Sequence, residues 1–199
     1  MSSRPAKSRI IEPQFLLMAY CNGYFPMADS KTGEIGWYSP DPRAVFDLNE
    51  FKTPRSLKQT IRKKNFDIRV DNRFEQVIRA CGGRNETWIS EDIIQTYLEL
   101  HRLGFAHSVE SWKEGKLAGG LYGVAVGGAF FGESMFSIDR DASKVALAFL
   151  VKRMSEHGFT LLDTQWVTPH LARFGAKEIP RAEYLDKLKK AIQQKCRFI

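Results

Sequence analysis

Cysteine is scarce in this chain of 199 residues, and the three present, Cys21, Cys81 and Cys196, are far apart and odd in number. They offer no disulfide framework and no C-x-x-C spacing for zinc or redox chemistry, so reduced thiols in a cytoplasmic protein are expected. The four histidines, His101, His107, His157 and His170, lack ligand spacing with one another, and neither a metal nor a cofactor is expected. No apolar run approaches the roughly 18 residues of a membrane span, and the basic opening MSSRPAKSRI is not followed by the apolar stretch of a leader. A soluble, unexported monomer without membrane contact is expected. Internal repeats and low-complexity tracts are absent too. Acid is in deficit: 23 Asp and Glu against 30 Lys and Arg give a formal charge of +7 and a pI near 9.4. That balance favours an anionic partner such as nucleic acid, with a plain solvated surface as the alternative.

What is present is an ordinary globular composition, 43% hydrophobic and 27% charged, enough for one sizeable core or a core with a small appendage. The most informative stretch runs from Gly119 to Gln165. Leu121 to Val126 and Ala129 to Phe136 read as two antiparallel strands around a Gly127-Gly128 turn, both glycines being suited to positive φ. Glu133 stands alone among Phe130, Phe131, Met135 and Phe136. An unpaired buried carboxylate costs several kcal/mol, so Glu133 either has a cationic partner or lines a cleft. After Ser137 the period changes to 3.6, which predicts a helix over Val145 to Met154, capped by Asp141 or Ser143 and ended by Gly158. A strand from Phe159 to Trp166 follows. In it Asp163 and Gln165 leave the same face, where a carboxylate and an amide hold each other in one orientation.

Upstream, Pro13 to Cys21 predicts a short amphipathic helix bearing Phe15, Leu16, Leu17, Met18 and Tyr20. Tyr24, Phe25, Trp37 and Tyr38 lie in a proline-punctuated stretch; they either dock the N-terminal piece onto the core or offer a stacking surface for a nucleobase. The segment PRSLKQTIRKK, a helix opened by Pro54, gathers Arg55, Lys58, Arg62, Lys63 and Lys64 without a balancing acid, which suits phosphates. Phe66 to Val70 reads as a strand, Phe74 to Ala80 as a helix, Cys81 to Asn85 as a loop and Glu91 to Leu103 as a helix capped by Ser90. Trp88 sits between loop and cap, where a side chain can face a cleft. His107 to Trp112 completes a meander of three strands, Thr168-Pro169 starts a short helix, and a last basic helix follows Pro180-Arg181.

The order meander, helix, strand, short helix comes with a set of motifs: FP at Phe25-Pro26, WYSPDPRAV at Trp37 to Val45, PRSLK at Pro54 to Lys58, TWI at Thr87 to Ile89, HSVE at His107 to Glu110, FFGESMFS at Phe130 to Ser137, LLDTQ at Leu161 to Gln165 and HLARFGAKEIPR at His170 to Arg181. Together these closely resemble the leucyl/phenylalanyl-tRNA–protein transferases. The resemblance implies an α+β chain: a GNAT-like acetyltransferase fold, with a mainly antiparallel mixed sheet flanked by helices, over residues 38–199, and a small N-terminal piece over 1–37. It implies transfer of Leu or Phe, more weakly Met, from aminoacyl-tRNA to the N-terminal Arg or Lys of an acceptor protein, which marks that protein for N-end rule degradation. Longer members carry an additional N-terminal segment with a glycine-rich stretch, and some have tryptophan after the FP pair where this chain has Met27. An adenine-stacking role for that tryptophan does not transfer here.

Exchanging an ester for an amide is downhill, so such an enzyme chiefly aligns an α-amine with the carbonyl and stabilises the developing oxyanion. Gln165 is expected to hold the amine through its carbonyl oxygen, and Asp163 to orient that amide and help accept charge, as the resemblance also implies. Both should be replaceable with little loss of folding stability. Glu133 is expected on a cation, either the ammonium of the aminoacyl ester or the basic acceptor residue. Leu121, Phe130, Met135, Leu147 and Leu150 would line the pocket for the aminoacyl side chain, with plain core packing the alternative for at least two of them. Trp37 and Trp88 would flank the terminal adenosine, and the basic residues from Arg55 to Lys64 would meet the tRNA backbone. Two other classes compete. A coenzyme A-dependent acetyltransferase would carry a glycine-rich turn before the helix, where this chain has Ser137-Ile138-Asp139-Arg140-Asp141-Ala142-Ser143, with no glycine and two acids. A non-catalytic RNA-binding module accounts for the charge but leaves Glu133, Asp163 and Gln165 without a purpose.

Overall fold

The computed structural model describes residues 10–83 and 87–199; the basic opening and the Arg84-Asn85 part of the expected loop lie outside the described residues. Helix α1 (Pro13–Cys21) starts with proline at its first position, where a missing N–H is no loss, and the Glu12 carboxylate accepts the N–H groups of Gln14 and Phe15 at 3.0 and 2.7 Å. Only Leu16 and Tyr20 of this helix are buried, while Phe15 and Met18 face solvent. Its apolar residues therefore wrap around the helix instead of forming the single stripe expected. Strands β1 (Phe25–Ala28) and β2 (Ile35–Tyr38) make a small antiparallel sheet.

The remaining elements are β3 (Arg43–Phe46), α2 (Arg55–Arg62), β4 (Asp67–Val70), α3 (Phe74–Gly82), α4 (Glu91–Arg102), β5 (Ala106–Lys113), β6 (Lys116–Val126), β7 (Ala129–Ser137), α5 (Ala142–Glu156), β8 (Leu161–Gln165), α6 (Pro169–Ala172), β9 (Lys177–Ile179) and α7 (Arg181–Ala191). They build a seven-stranded sheet in the order β4-β5-β6-β7-β8-β3-β9. Neighbours are antiparallel except β7 and β8, which run parallel and are joined by α5, the crossover a parallel pair requires. This is the expected α+β arrangement, a mainly antiparallel mixed sheet flanked by helices, with the meander extended by β4. One face of the sheet packs Tyr20, Ile78, Ile93, Tyr97, Phe131 and Tyr184 together, so α1 shares a core with α3, α4 and α7. The other face packs Phe130, Leu147, Leu150, Leu162 and Phe174 under α5.

Several boundaries differ from expectation for local reasons. Cys81 and Gly82 continue α3 because Cys81 is buried against the core. The basic run straddles a helix end, with Lys63 as the C-cap of α2 and Lys64 beyond it at φ +52. Asp141 does occupy the N-cap position of α5, but at φ +69 its side chain caps nothing and pairs with Lys144 at 2.6 Å. The capping oxygen is Ser137 Oγ, which accepts the Ser143 N–H at 3.3 Å. In the hairpin turn Gly127 takes φ +56, and Gly128 stays outside the left-handed region.

Candidate active site

The β7–β8 ladder ends at Phe131 opposite Asp163. Just beyond that point both strands bulge against their other neighbours. On β6, Tyr122 pairs Ser134 and Gly123 pairs Gly132, so Glu133 has no partner. On β3, Val45 pairs Asp163 and Ala44 pairs Gln165, so Thr164 has none, and Gln165 sits at φ +59. A bulge re-aims the side chains around it, and two side by side open the sheet where its parallel junction ends. The opening is a cavity of about 410 Å³ whose wall carries Glu133 and Gln165. Across it Gln165 Nε2 donates to Glu133 Oε1 at 3.5 Å.

Glu133 accepts the Tyr20 hydroxyl at 2.7 Å, and Tyr20 in turn shares a short hydrogen bond with Tyr97. Burial pushes the Glu133 carboxyl up to about 7, against the pull of its hydrogen bonds to the two tyrosines. Burial also raises both tyrosines well above their ordinary value, so they stay protonated as donors. Of the two alternatives for Glu133, the cleft is the one observed.

Asp163 is fully buried and does not line the cavity. It is held bidentately by Arg43, through Nε at 2.9 Å and Nη2 at 2.6 Å, and accepts the Tyr184 hydroxyl at 2.8 Å. Its remaining contact is with the backbone N–H of Gln165 at 2.9 Å, not with the side-chain amide. The expected carboxylate–amide pair is thus corrected: the amide turns to Glu133, because the bulge at Thr164 breaks the period of two that would have kept both side chains on one face. Expected freedom to replace Asp163 is corrected too, since its loss would strand the fully buried Arg43 guanidinium.

Leu121, Met135, Leu147 and Leu150 line the cavity, joined by Leu162. Phe130 does not. It lies at the hairpin end of β7, where its ring fills the space left by the missing side chain of Gly123 and meets Phe198 at 5.1 Å. Trp88 lines the cavity and Trp37 does not. Met27 and Phe25 of β1 face the cavity, whereas Trp37 pairs with Pro26, one residue out of phase, and so projects from the other face to meet Phe15 at 5.3 Å. Arg55, Lys58, Arg62, Lys63 and Lys64 are exposed and in no ion pair among the described residues. Missed at the sequence level were Tyr20, Tyr97, Arg43, Tyr184 and Trp166. Arg43 carried a signal: a lone cation beside Ala44, Val45 and Phe46 in a strand needs a buried anion.

A mixed sheet that opens at its one parallel junction onto a largely apolar pocket, with an amide and a buried carboxyl on the wall, has the parts that aligning an amine with an acyl group requires. The protein-family profile described as leucyl/phenylalanyl-tRNA protein transferase matches residues 45–189, and the profile for the N-terminal domain of the same proteins matches residues 9–41. The leucyl/phenylalanyl-tRNA–protein transferase of Gloeobacter violaceus is 53% identical over 94% of this chain and 97% of its own length. That of Chlorobaculum tepidum is 52% identical over 96% of this chain and all (100%) of its own. A GCN5-related N-acetyltransferase-like protein of Streptococcus suis aligns with a TM-score of 0.40 at 12% identity, over 70% of this chain and 58% of that one, too distant to carry an argument. The chain belongs to the leucyl/phenylalanyl-tRNA–protein transferase family and is an aminoacyltransferase. Among the described residues no helix is long and apolar enough to cross a membrane.

Proposed function

We propose that the enzyme moves Leu or Phe, and more weakly Met, from aminoacyl-tRNA to the N-terminal Arg or Lys of acceptor proteins in the cytoplasm, marking them for N-end rule degradation. The observation that carries this reading is the placing of Gln165 and Glu133 on the wall of a pocket whose apolar lining includes Leu121, Met135, Leu147, Leu150 and Leu162. That apolar part of the lining suits an aminoacyl side chain unbranched at Cβ. Trp88 is the candidate for the terminal adenosine, and the unpaired cations of α2 and its C-terminal end are candidates for the tRNA backbone.

In this reading Glu133 takes the Gln165 N–H, which leaves the amide oxygen to accept from the attacking amine. The N–C bond forms as the ester C–O bond breaks. One proton of the acceptor ammonium passes to Glu133, and a second leaves with the ribose hydroxyl. The α-amino group ionises near ~7.7–8.0, so a base titrating close to neutrality is sufficient. Asp163 acts as a positioning residue: clamped by Arg43 and Tyr184, it fixes the left-handed backbone of Gln165.

The test offers purified enzyme a peptide beginning with Arg and either leucyl-tRNA or acetyl-CoA. Leucylation from the charged tRNA alone is expected. Acetylation without leucylation would instead favour the coenzyme A class.

A further inference from the structure

Trp166 has no role in the reaction as described, yet it follows Gln165 directly and lines the same cavity with 42% of its surface exposed. The left-handed turn at Gln165 and the bond from the Trp166 N–H to the Thr164 carbonyl at 2.6 Å swing the chain out of β8. The indole is thereby set beside the site instead of continuing down the strand. Two rings meet it at steep angles: buried Phe25 at 5.2 Å and 86°, and Tyr38, 43% exposed, at 6.5 Å and 65°. The three make a corner of aromatic surface at the edge of the cavity.

A planar base is gripped best between parallel rings. A corner of rings instead presents more than one negative π face to a single point, the arrangement that attracts a cation. Within the core the same cluster already does this, with the Arg43 guanidinium 4.7 Å from the Phe25 centroid. Glu133 is the only acidic residue lining the cavity among the described residues, and it is engaged by Tyr20 and Gln165. The aromatic corner is therefore the surface left to recognise a second positive group.

We infer that the Trp166–Tyr38 corner receives the cationic side chain of the acceptor's first residue by cation–π contact. An α-amine held at the Gln165 amide puts the long side chain of the same residue within reach of the next ring along the chain. The inference deepens the function proposed above and rests on it.

The experiment measures steady-state transfer of Leu from leucyl-tRNA to peptides that differ only in their first residue: Arg, Lys, or citrulline, the neutral isostere of Arg. Trp166→Leu should raise KM for the Arg and Lys peptides about tenfold, the scale of a cation–π contact. It should leave KM for leucyl-tRNA and for the citrulline peptide near the unaltered enzyme's. Trp166→Phe, which keeps a π face, should recover most of the loss, and fluorinated tryptophans at position 166 should raise KM stepwise as fluorine withdraws electron density. Equal losses for Arg and citrulline peptides would reduce the corner to an apolar contact and overturn the inference. A raised KM for leucyl-tRNA with unchanged acceptor KM would overturn it in favour of the donor's adenosine. Either result leaves transfer to basic N-termini standing, whereas an unaltered enzyme that leucylates none of these peptides would remove both.

Discussion

The Glu133 carboxyl, held by Tyr20 and facing Gln165, ionises at about 7 where an ordinary glutamate does so near 4.5. A folded-state value raised above the unfolded one means that the native state binds the extra proton between those two pH values, so the stability this one group contributes is fully present below pH 4.5 and is lost as pH rises through 7. The ionised side chain thus costs about 3 kcal/mol at alkaline pH. Glu133→Gln should flatten the pH dependence of the melting temperature between 5 and 8 and raise stability most at the upper end, which a calorimetric series would read. It should also remove one of the two ionisations that bring transfer up with pH, leaving only that of the acceptor amine; an unchanged rate profile would exclude Glu133 as the proton acceptor. Gln165→Ala should lower transfer by roughly 10²-fold with little change in melting temperature. Asp163→Ala should instead destabilise by about 3–5 kcal/mol, because Arg43 is left buried without its carboxylate. Asp163→Leu combined with Arg43→Met should recover stability but not transfer, since the Gln165 N–H then has no acceptor.

Among the elements, β7 and α2 show how much depends on one residue too many or one helical turn. Met135 and Phe130 pack toward the same side of the sheet although they are an odd number apart, because the unpaired Glu133 reverses the alternation between them. Alternation alone would put the two on opposite faces; the bulge brings both to the α5 side, and what keeps Phe130 out of the pocket is its place at the hairpin end of the strand. The cations at and beyond α2 make no ion pair among the described residues and stay available for phosphate. Replacing Arg55 and Lys58 together should weaken binding of charged tRNA and lower the slope of log K against log salt by up to about two units. An unchanged slope in a titration from low to moderate salt would return the helix to an ordinary solvated face. Ser137→Ala should cost about 1 kcal/mol by removing the acceptor for the Ser143 N–H at the start of α5.

For the molecule as a whole, α1 and β1 are part of the main core. Leu16 and Tyr20 are fully buried in the cluster that holds Ile93, Tyr97 and Phe131, and Arg43 donates to the Gly23 carbonyl. Urea unfolding followed by tryptophan fluorescence and by far-ultraviolet circular dichroism should give one coincident transition. Two separated transitions would show an N-terminal piece that folds alone, and with it a Tyr20 that docks on Glu133 only as a second event.

The amino-acid sequence by itself determined the order of elements, the hairpin and the crossover helix, and it marked Glu133, Asp163 and Gln165 as polar residues set in apolar strands. These rest on local quantities: period, turn chemistry, and the cost of a charge in an apolar run. Only the tertiary structure decided which partner each polar group takes. Asp163 belongs to Arg43 and Tyr184, some 120 and 21 positions away in sequence, and the Glu133 hydrogen bond comes from Tyr20, 113 positions away. No local pattern encodes a contact at that separation. The side-by-side bulges were hidden for the same reason, since a bulge is a relation between two strands and neither strand carries it alone. Trp37 is kept from the cavity that Phe25 and Met27 face because register, a property of the paired ladder, chooses the face on which an aromatic side chain emerges.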